Sequence, residues 1–379
     1  MTQTTFSLSG IVVSPDGAAR EATVHLSGKT IVQVTPGRDP GADLSTDGVI
    51  VPGFIDVQVN GAYGYDFTND ATSVMEVARQ LPATGVTGFI PTIITSKFDA
   101  YPARLREVAE AMRASTPGAH ILGLHLEGPY LSPARKGAHP PAHIRPINVA
   151  EIRAWADPSI TRIVTLAPEL EGALEAIRVL RQAGLVVSAG HTNATFAQAM
   201  AGFEAGINWG THLYNAMSPF QHREPGMIGA LLVTTVPCGL IVDGIHSHPA
   251  TVQLAWKSKG VDRIVLVTDC MQAMGMAPGR YILGDHAVVV DDTSARLEDG
   301  TLAGSILTMD EAIRNMMTFT GCSLADAVHM ATVTPARLLG LDRKGMIAPG
   351  FDADLAVLSS DNRVMHTLVD GKVVFTCSE

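Results

Sequence analysis

Residues 121–129, Ile121-Leu122-Gly123-Leu124-His125-Leu126-Glu127-Gly128-Pro129, read as a short buried strand that ends on a charge. A Glu in that apolar setting is expensive to bury unpaired, so a bound cation explains it better than packing does. The same grammar recurs downstream. Val186 to His191, Asn208 to Leu213 and Arg263 to Asp269 are apolar runs that close, or nearly close, on His191, His212 and Asp269.

Four more runs of this kind, Gly53 to Val59, Thr87 to Ile93, Ile163 to Pro168 and Gly239 to Asp243, bring the strands to eight. Stretches of helical composition lie between them, such as Ala71 to Thr84, Ala100 to Ala114, Leu170 to Ala183 and Ala194 to Ala205. Strands alternating with helices predict parallel βα units, and eight of them favour a closed (β/α)8 barrel over an open sheet. Arg280 to Thr301 reads as a β-hairpin inserted after the eighth strand, and final helices are predicted over Met309 to Thr320 and Leu324 to Ala331.

Both ends of the chain differ from this rhythm. Phe6 to Val13, Ala22 to Leu26 and Thr30 to Val34 alternate as strands between Pro- and Gly-containing turns, and Ala353 to Leu358 and His366 to Phe375 do the same around Asp370-Gly371. The prediction is one small β-sandwich built from residues 1–50 and 346–379, around a barrel at 51–345.

A chain of 379 residues suits a barrel of about 250 residues plus a second module. A hydrophobic fraction of 46% with only 5% aromatics fits buried strands of Val, Ile, Leu and Ala. A formal charge of -10 without a Lys/Arg run removes the usual attraction for nucleic acid and for anionic membrane, so an anionic substrate needs a local cationic pocket. The four cysteines form no CxxC pair, as expected of reduced structural thiols. Met1 to Gly10 lack the pattern of a signal peptide, and no long apolar run follows, so a soluble cytoplasmic enzyme is expected.

A barrel places its chemistry at the C-terminal ends of its strands, where Glu127, His191, His212 and Asp269 fall. One carboxylate and two imidazoles form an N/O ligand set for Zn2+ or a similar divalent ion, with water in an open fourth position. Asp269 is then the spare carboxylate that moves protons. A lone His at a strand end is more often structural; the convergence of four such residues carries the reading.

In their order and wording, Pro52-Gly53-Phe54-Ile55-Asp56-Val57-Gln58-Val59-Asn60-Gly61, Gly123 to Pro129, Gly190-His191-Thr192, Thr211-His212-Leu213-Tyr214-Asn215-Ala216-Met217, Arg223-Glu224-Pro225-Gly226, Asp243-Gly244-Ile245-His246, Val267-Thr268-Asp269 and Leu302-Ala303-Gly304-Ser305 resemble the N-acetylglucosamine-6-phosphate deacetylase family of the amidohydrolase superfamily. The resemblance implies hydrolysis of the acetamide of N-acetyl-D-glucosamine 6-phosphate to D-glucosamine 6-phosphate and acetate, in amino-sugar catabolism. It assigns His139 to polarising the acetamido carbonyl and Asp269 to general base and acid. Arg223 and His246 correspond to phosphate-binding positions, and Ala138, Asn215, Ala216, Asp243, Leu302, Ala303 and Gly304 to substrate-contacting ones. Many amidohydrolases carry His-x-His where this chain has Gln58-Val59-Asn60, which implies one tightly held ion. Zn2+ comes first, with Fe2+, Co2+, Mn2+ and Cd2+ as alternatives and a second, weaker ion left open. Relatives of this kind are homodimers, so Arg223 and His246 are expected to serve the neighbouring site.

Three other readings compete. A deacetylase for another phosphorylated acetylhexosamine, such as the galactosamine type, differs only in the sugar. A cyclic amidase fits poorly without His-x-His, and a non-catalytic barrel scaffold would ordinarily have lost the ligands. Among the remaining histidines, His125 shares the strand face of Glu127 and is expected inside the barrel or behind the site, while His222 and His248 rank behind Arg223 and His246 as phosphate contacts.

Overall fold

The computed structural model describes residues 5–114 and 117–377; Met1 to Thr4, the start of the segment compared with a signal peptide, lie outside them. Eight parallel strands pair in chain order: Phe54–Val59, Val86–Ile94, Leu124–Glu127, Thr161–Leu166, Val186–Ala189, Trp209–Gly210, Cys238–Leu240 and Ile264–Leu266. Each of the eight predicted runs overlaps one of them, although Val86–Ile94, Thr161–Leu166 and Cys238–Leu240 begin one or two residues before their predicted starts. The last strand returns to the first through the bridge Val59↔Cys270, with Asp269 N–H donating to Gln58 O at 3.0 Å and Asn60 N–H to Cys270 O at 2.8 Å. These bonds close the barrel.

Strand burial explains the closure. Every residue of Phe54–Val59 and of Val86–Ile94 is buried, because one face fills the barrel and the other meets the helices. Tyr101–Arg113, Ala173–Gln182 and Phe196–Ala205 form as helices near their predicted bounds. The run Ala71 to Thr84 is instead broken into 3-10 turns around a short helix, Val74–Gln80, with Pro82 in the second turn. A proline there lacks the N–H that a continuous helix requires. Met309–Thr320 and Leu324–Ala331 match their predicted bounds.

The terminal segments build one seven-stranded sheet. Its order places Leu44–Pro52, a strand absent from the sequence reading, between Thr5–Val13 and Leu355–Leu358. The alternation was interrupted there by Thr46-Asp47-Gly48, where the register with Thr5–Val13 shifts. The sheet curls until Thr30–Pro36 meets the other half, Ile31 donating to Phe351 O and accepting from Gly350 N–H. Leu8, Val24, Ile31, Ile50, Leu355 and Leu368 fill the sandwich-like interior. The insert is a three-stranded antiparallel unit, Gly279–Leu283, His286–Val290 and Ala295–Arg296, rather than a two-stranded hairpin. Among the described residues no helix is long and apolar enough to cross a membrane.

Candidate metal and hydrolysis site

Glu127 is the last residue of the third barrel strand, and His191, His212 and Asp269 follow the fifth, sixth and eighth by two or three residues. At these exits the backbone turns sharply. His191, His212 and Asp269 have φ of 48°, 26° and 51°. Left-handed backbone at a non-glycine residue costs about 1–3 kcal/mol, and such strain collects where side chains are held for function.

His212 Nε2 lies 3.1 Å from Glu127 Oε1 and 3.2 Å from His191 Nε2, and His191 Nε2 lies 3.2 Å from the same Glu127 oxygen. Ligand atoms at a tetrahedral centre with bonds of about 2.0 Å are about 3.3 Å apart, so this triangle has the size of a zinc-type site. The tautomer of His191 agrees. Its Nδ1 faces the Arg135 carbonyl at 3.0 Å, an acceptor only, so Nδ1 carries the proton and Nε2 turns a lone pair inward.

Charge reinforces the cluster. Burial favours the neutral acid of Glu127, but His191 and His212 outweigh it and hold the carboxyl well below its usual range. Burial likewise opposes charge on His212, yet the Glu127 carboxylate raises its proton affinity. Burial pushes Asp269 up, with His212 opposing and Glu127 reinforcing the rise.

His139 is a rival third ligand, standing near Glu127 and His191. Its geometry differs. Thr95 N–H donates to His139 Nδ1 at 3.2 Å, so the ring proton sits on Nε2, whose approach to Glu127 Oε2 is 3.7 Å. Burial keeps the imidazole neutral. His139 therefore offers an N–H to the cavity where His191 offers a lone pair. Gly128, at φ 91°, permits this packing: a Cβ there would come within 2.2 Å of Thr95 Oγ1.

Gln58 and Asn60 behave as donors. Asp269 Oδ1 accepts from Gln58 Nε2 at 3.0 Å and from Asn60 Nδ2 at 2.8 Å, and Gln58 Nε2 also reaches Glu127 Oε1 at 3.2 Å. Beneath them His125 is wholly buried, bonded to Thr165 Oγ1 at 2.7 Å, and burial lowers its pKa to about 4. It is a neutral part of the barrel filling.

These groups open into a cavity of about 460 Å³. Ala138, Asn215, Ala216, His246, Leu302 and Gly304 line it with Glu127, His139, His191, His212 and Asp269. Asp243 stands behind His246, its Oδ2 receiving Nδ1–H at 2.6 Å, and Ala303 is buried in a cluster with Ala138, Met271 and Leu283 and does not itself line the cavity. Arg223 lies in an exposed loop and does not line the cavity of its own chain. Arg135 and Arg296 do, and the sequence reading missed both. Arg135 had a signal in its place just before Gly137-Ala138-His139, whereas Arg296 reaches the rim only because the insert folds over it. His248 caps the helix Pro249–Lys259 by accepting Ala250 N–H, which accounts for it structurally.

The Amidohydrolase family model matches residues 49–374. The N-acetylglucosamine-6-phosphate deacetylase of Bacillus subtilis (strain 168) is 43% identical over 341 residues, 88% of this chain and 86% of the relative. The N-acetylgalactosamine-6-phosphate deacetylase of Escherichia coli O157:H7 is 41% identical over 330 residues, 86% and 87% of the two chains. A solved structure of a mutant N-acetyl-D-glucosamine-6-phosphate deacetylase from Mycobacterium smegmatis, in complex with N-acetyl-D-glucosamine-6-phosphate, is similar at a TM-score of 0.92 and 35% identity, covering 98% of this chain and all of that one.

Proposed function

Because this chain belongs to the amidohydrolase family, we propose that its barrel mouth hydrolyses the acetamide of N-acetyl-D-glucosamine 6-phosphate, giving D-glucosamine 6-phosphate and acetate. One observation carries the reading: three ligand atoms within 3.2 Å of one another, beside a carboxylate fixed by two amides. The family implies a divalent metal, and the donor chemistry of Glu127, His191 and His212 fits one, with Zn2+ the best match. When bound, such an ion supplies Lewis-acid polarisation and a water acidic enough to ionise near neutral pH.

The chain's own residues do the rest. Asp269 keeps Oδ1 on Gln58 and Asn60 and uses Oδ2 to accept the attacking water's proton and return it to the departing amine. His139 donates Nε2–H to the acetamido oxygen as negative charge develops there, its orientation fixed by Thr95. Gln58 and Asn60 occupy the place of a His pair and spend their amide protons on Asp269, which supports one tightly held ion. Asn215, Ala216 and the Leu302–Gly304 segment contact the sugar.

For the phosphate we assign His246 and Arg223, an Arg fork suiting a phosphate best. Arg223 is exposed and absent from its own cavity's lining, on a loop that exposes Phe220, so we assign it to the neighbouring subunit of a homodimer. The division into 1–50 and 346–379 around 51–345 leaves every site residue in the middle segment. Cys238 and Cys270 are buried thiols, which supports a reducing, cytoplasmic setting.

The galactosamine reading has one specific support, the 41% identity to the E. coli relative. Acetate release from the 6-phosphates of N-acetylglucosamine and N-acetylgalactosamine, and from the unphosphorylated sugars, tests both. The expected result is highest kcat/KM on the glucosamine phosphate and a large loss without phosphate. Equal rates on the unphosphorylated sugar would remove the phosphate site.

A further inference from the structure

Asp56 has no part in the chemistry above, yet it is a carboxylate with 1% exposure inside the first barrel strand. A buried carboxylate ordinarily has a cation beside it. Among the described residues Asp56 has no ion pair; its partners are a hydroxyl and two backbone N–H groups. Thr268 Oγ1 donates to Oδ2 at 2.5 Å, and the N–H groups of Gln58 and Thr268 approach Oδ1 at 3.3 and 3.4 Å. Burial pushes the Asp56 carboxyl up to about 7, the Thr268 hydroxyl pulling against it and the charge of Asp269 adding to the rise.

The two bonds to Thr268 cross the seam where the first strand meets the segment after the last, while the Gln58 N–H bond stays within the first strand. Thr268 immediately precedes Asp269. Asp269 N–H donates to Gln58 O at 3.0 Å, Ser305 Oγ donates to Thr268 O at 2.6 Å, and Ser305 N–H donates to Asp269 O at 2.9 Å. Residues 56, 58 and 60 share one face of their strand, so a single column presents an acceptor to Thr268 and two amides to Asp269. A shift of this seam would move Asp269 Oδ1 off both amides at once.

We infer that Asp56 is a positioning residue for Asp269: its bond to Thr268 fixes the strained backbone at φ 51° from which the Asp269 carboxylate reaches Gln58 and Asn60. The inference rests on Asp269 as the proton carrier. Misplacement by about 1 Å costs on the order of 100-fold in rate, while substrate binding and metal ligation, which use other strands, stay as they are.

The test uses metal-loaded enzyme and N-acetyl-D-glucosamine 6-phosphate. Thr268→Val is expected to lower kcat at least tenfold with KM within threefold and metal content unchanged, and Thr268→Ser, which restores the hydroxyl, to recover most of that kcat. Asp56→Ala, which removes the acceptor, is expected to lose kcat at least tenfold too, and the double variant to fall little further than the worse single one, because both cut the same link. A folded, metal-loaded Thr268→Val with kcat within twofold of wild type overturns the proposal, as do fully multiplicative losses in the double variant. Should Thr268→Val not fold, Asp56→Ala decides by the same limits. An inactive wild type in that assay overturns the reaction itself and this proposal with it; an active wild type beside an equally active Thr268→Val overturns only the positioning role.

Discussion

His191 Nε2 and His212 Nε2 stand 3.2 Å apart, two imidazole nitrogens facing each other across one carboxylate oxygen. Nitrogen lone pairs converge in this way around a cation, and a ligand bound only by the folded state stabilises it by about 2.7 kcal/mol at a hundredfold excess over Kd. Stripping the protein with a chelator is therefore expected to lower Tm by several degrees, and one equivalent of Zn2+ to restore it. An unchanged melting curve after verified metal removal would mean that the triangle is a hydrogen-bonded cluster.

His139→Ala separates an oxyanion donor from a ligand. Loss of the Nε2–H donor is expected to reduce kcat about 100- to 1000-fold while the bound metal stays at the wild-type level. A variant that loses its metal would make His139 a ligand.

Arg223 is missing from the lining of its own cavity, so a site shared between subunits makes a complementation prediction. Arg223→Ala and Asp269→Asn homodimers are each expected to be nearly inactive. Mixed and allowed to exchange subunits, they form heterodimers in which one site has both an intact Asp269 and a partner with Arg223, and activity is expected to rise toward about a quarter of wild type. No recovery in verified heterodimers would place Arg223 in service of its own chain.

Away from the barrel mouth, Asp354 accepts from Lys344 Nζ at 2.5 Å and lies 3.6 Å from His120 Nε2. Burial opposes its ionisation, but His120 and Lys344 prevail and hold the carboxyl at about 2, below its ordinary 3.8. A depressed carboxyl stabilises the fold above the unfolded-state value, and the contribution is lost as pH falls from about 4 through 2. Asp354→Asn is thus expected to be less stable than wild type by about 2 kcal/mol at pH 7, with the gap closing below pH 4. Denaturation midpoints of the two proteins across that range check the sign; a gap that widens in acid would contradict it.

Much of this was legible in the sequence because barrel strands are buried on both faces and carry their chemistry at their ends. Glu127, His191, His212 and Asp269 stood out as polar residues closing apolar runs. What was not legible depended on chain segments meeting across the fold. Thr95, which fixes the His139 tautomer, is an ordinary Thr until the third strand's loop folds over it. Arg296 reaches the cavity only through the folded insert, and Leu44–Pro52 is interrupted by a glycine in the part of the strand that faces Leu358. Asp56 read as part of a motif, and only closure of the barrel brings it to Thr268.

Acetate release from N-acetyl-D-glucosamine 6-phosphate by Asp269→Asn, set against wild type at equal metal content, tests the account most directly. The expected result is one acetate per glucosamine 6-phosphate from wild type, and a kcat lower by about 1000-fold in the variant, within the range of a lost general base. A metal-loaded Asp269→Asn turning over within tenfold of wild type would contradict the account, because the proton would then move by a route that does not pass through Asp269.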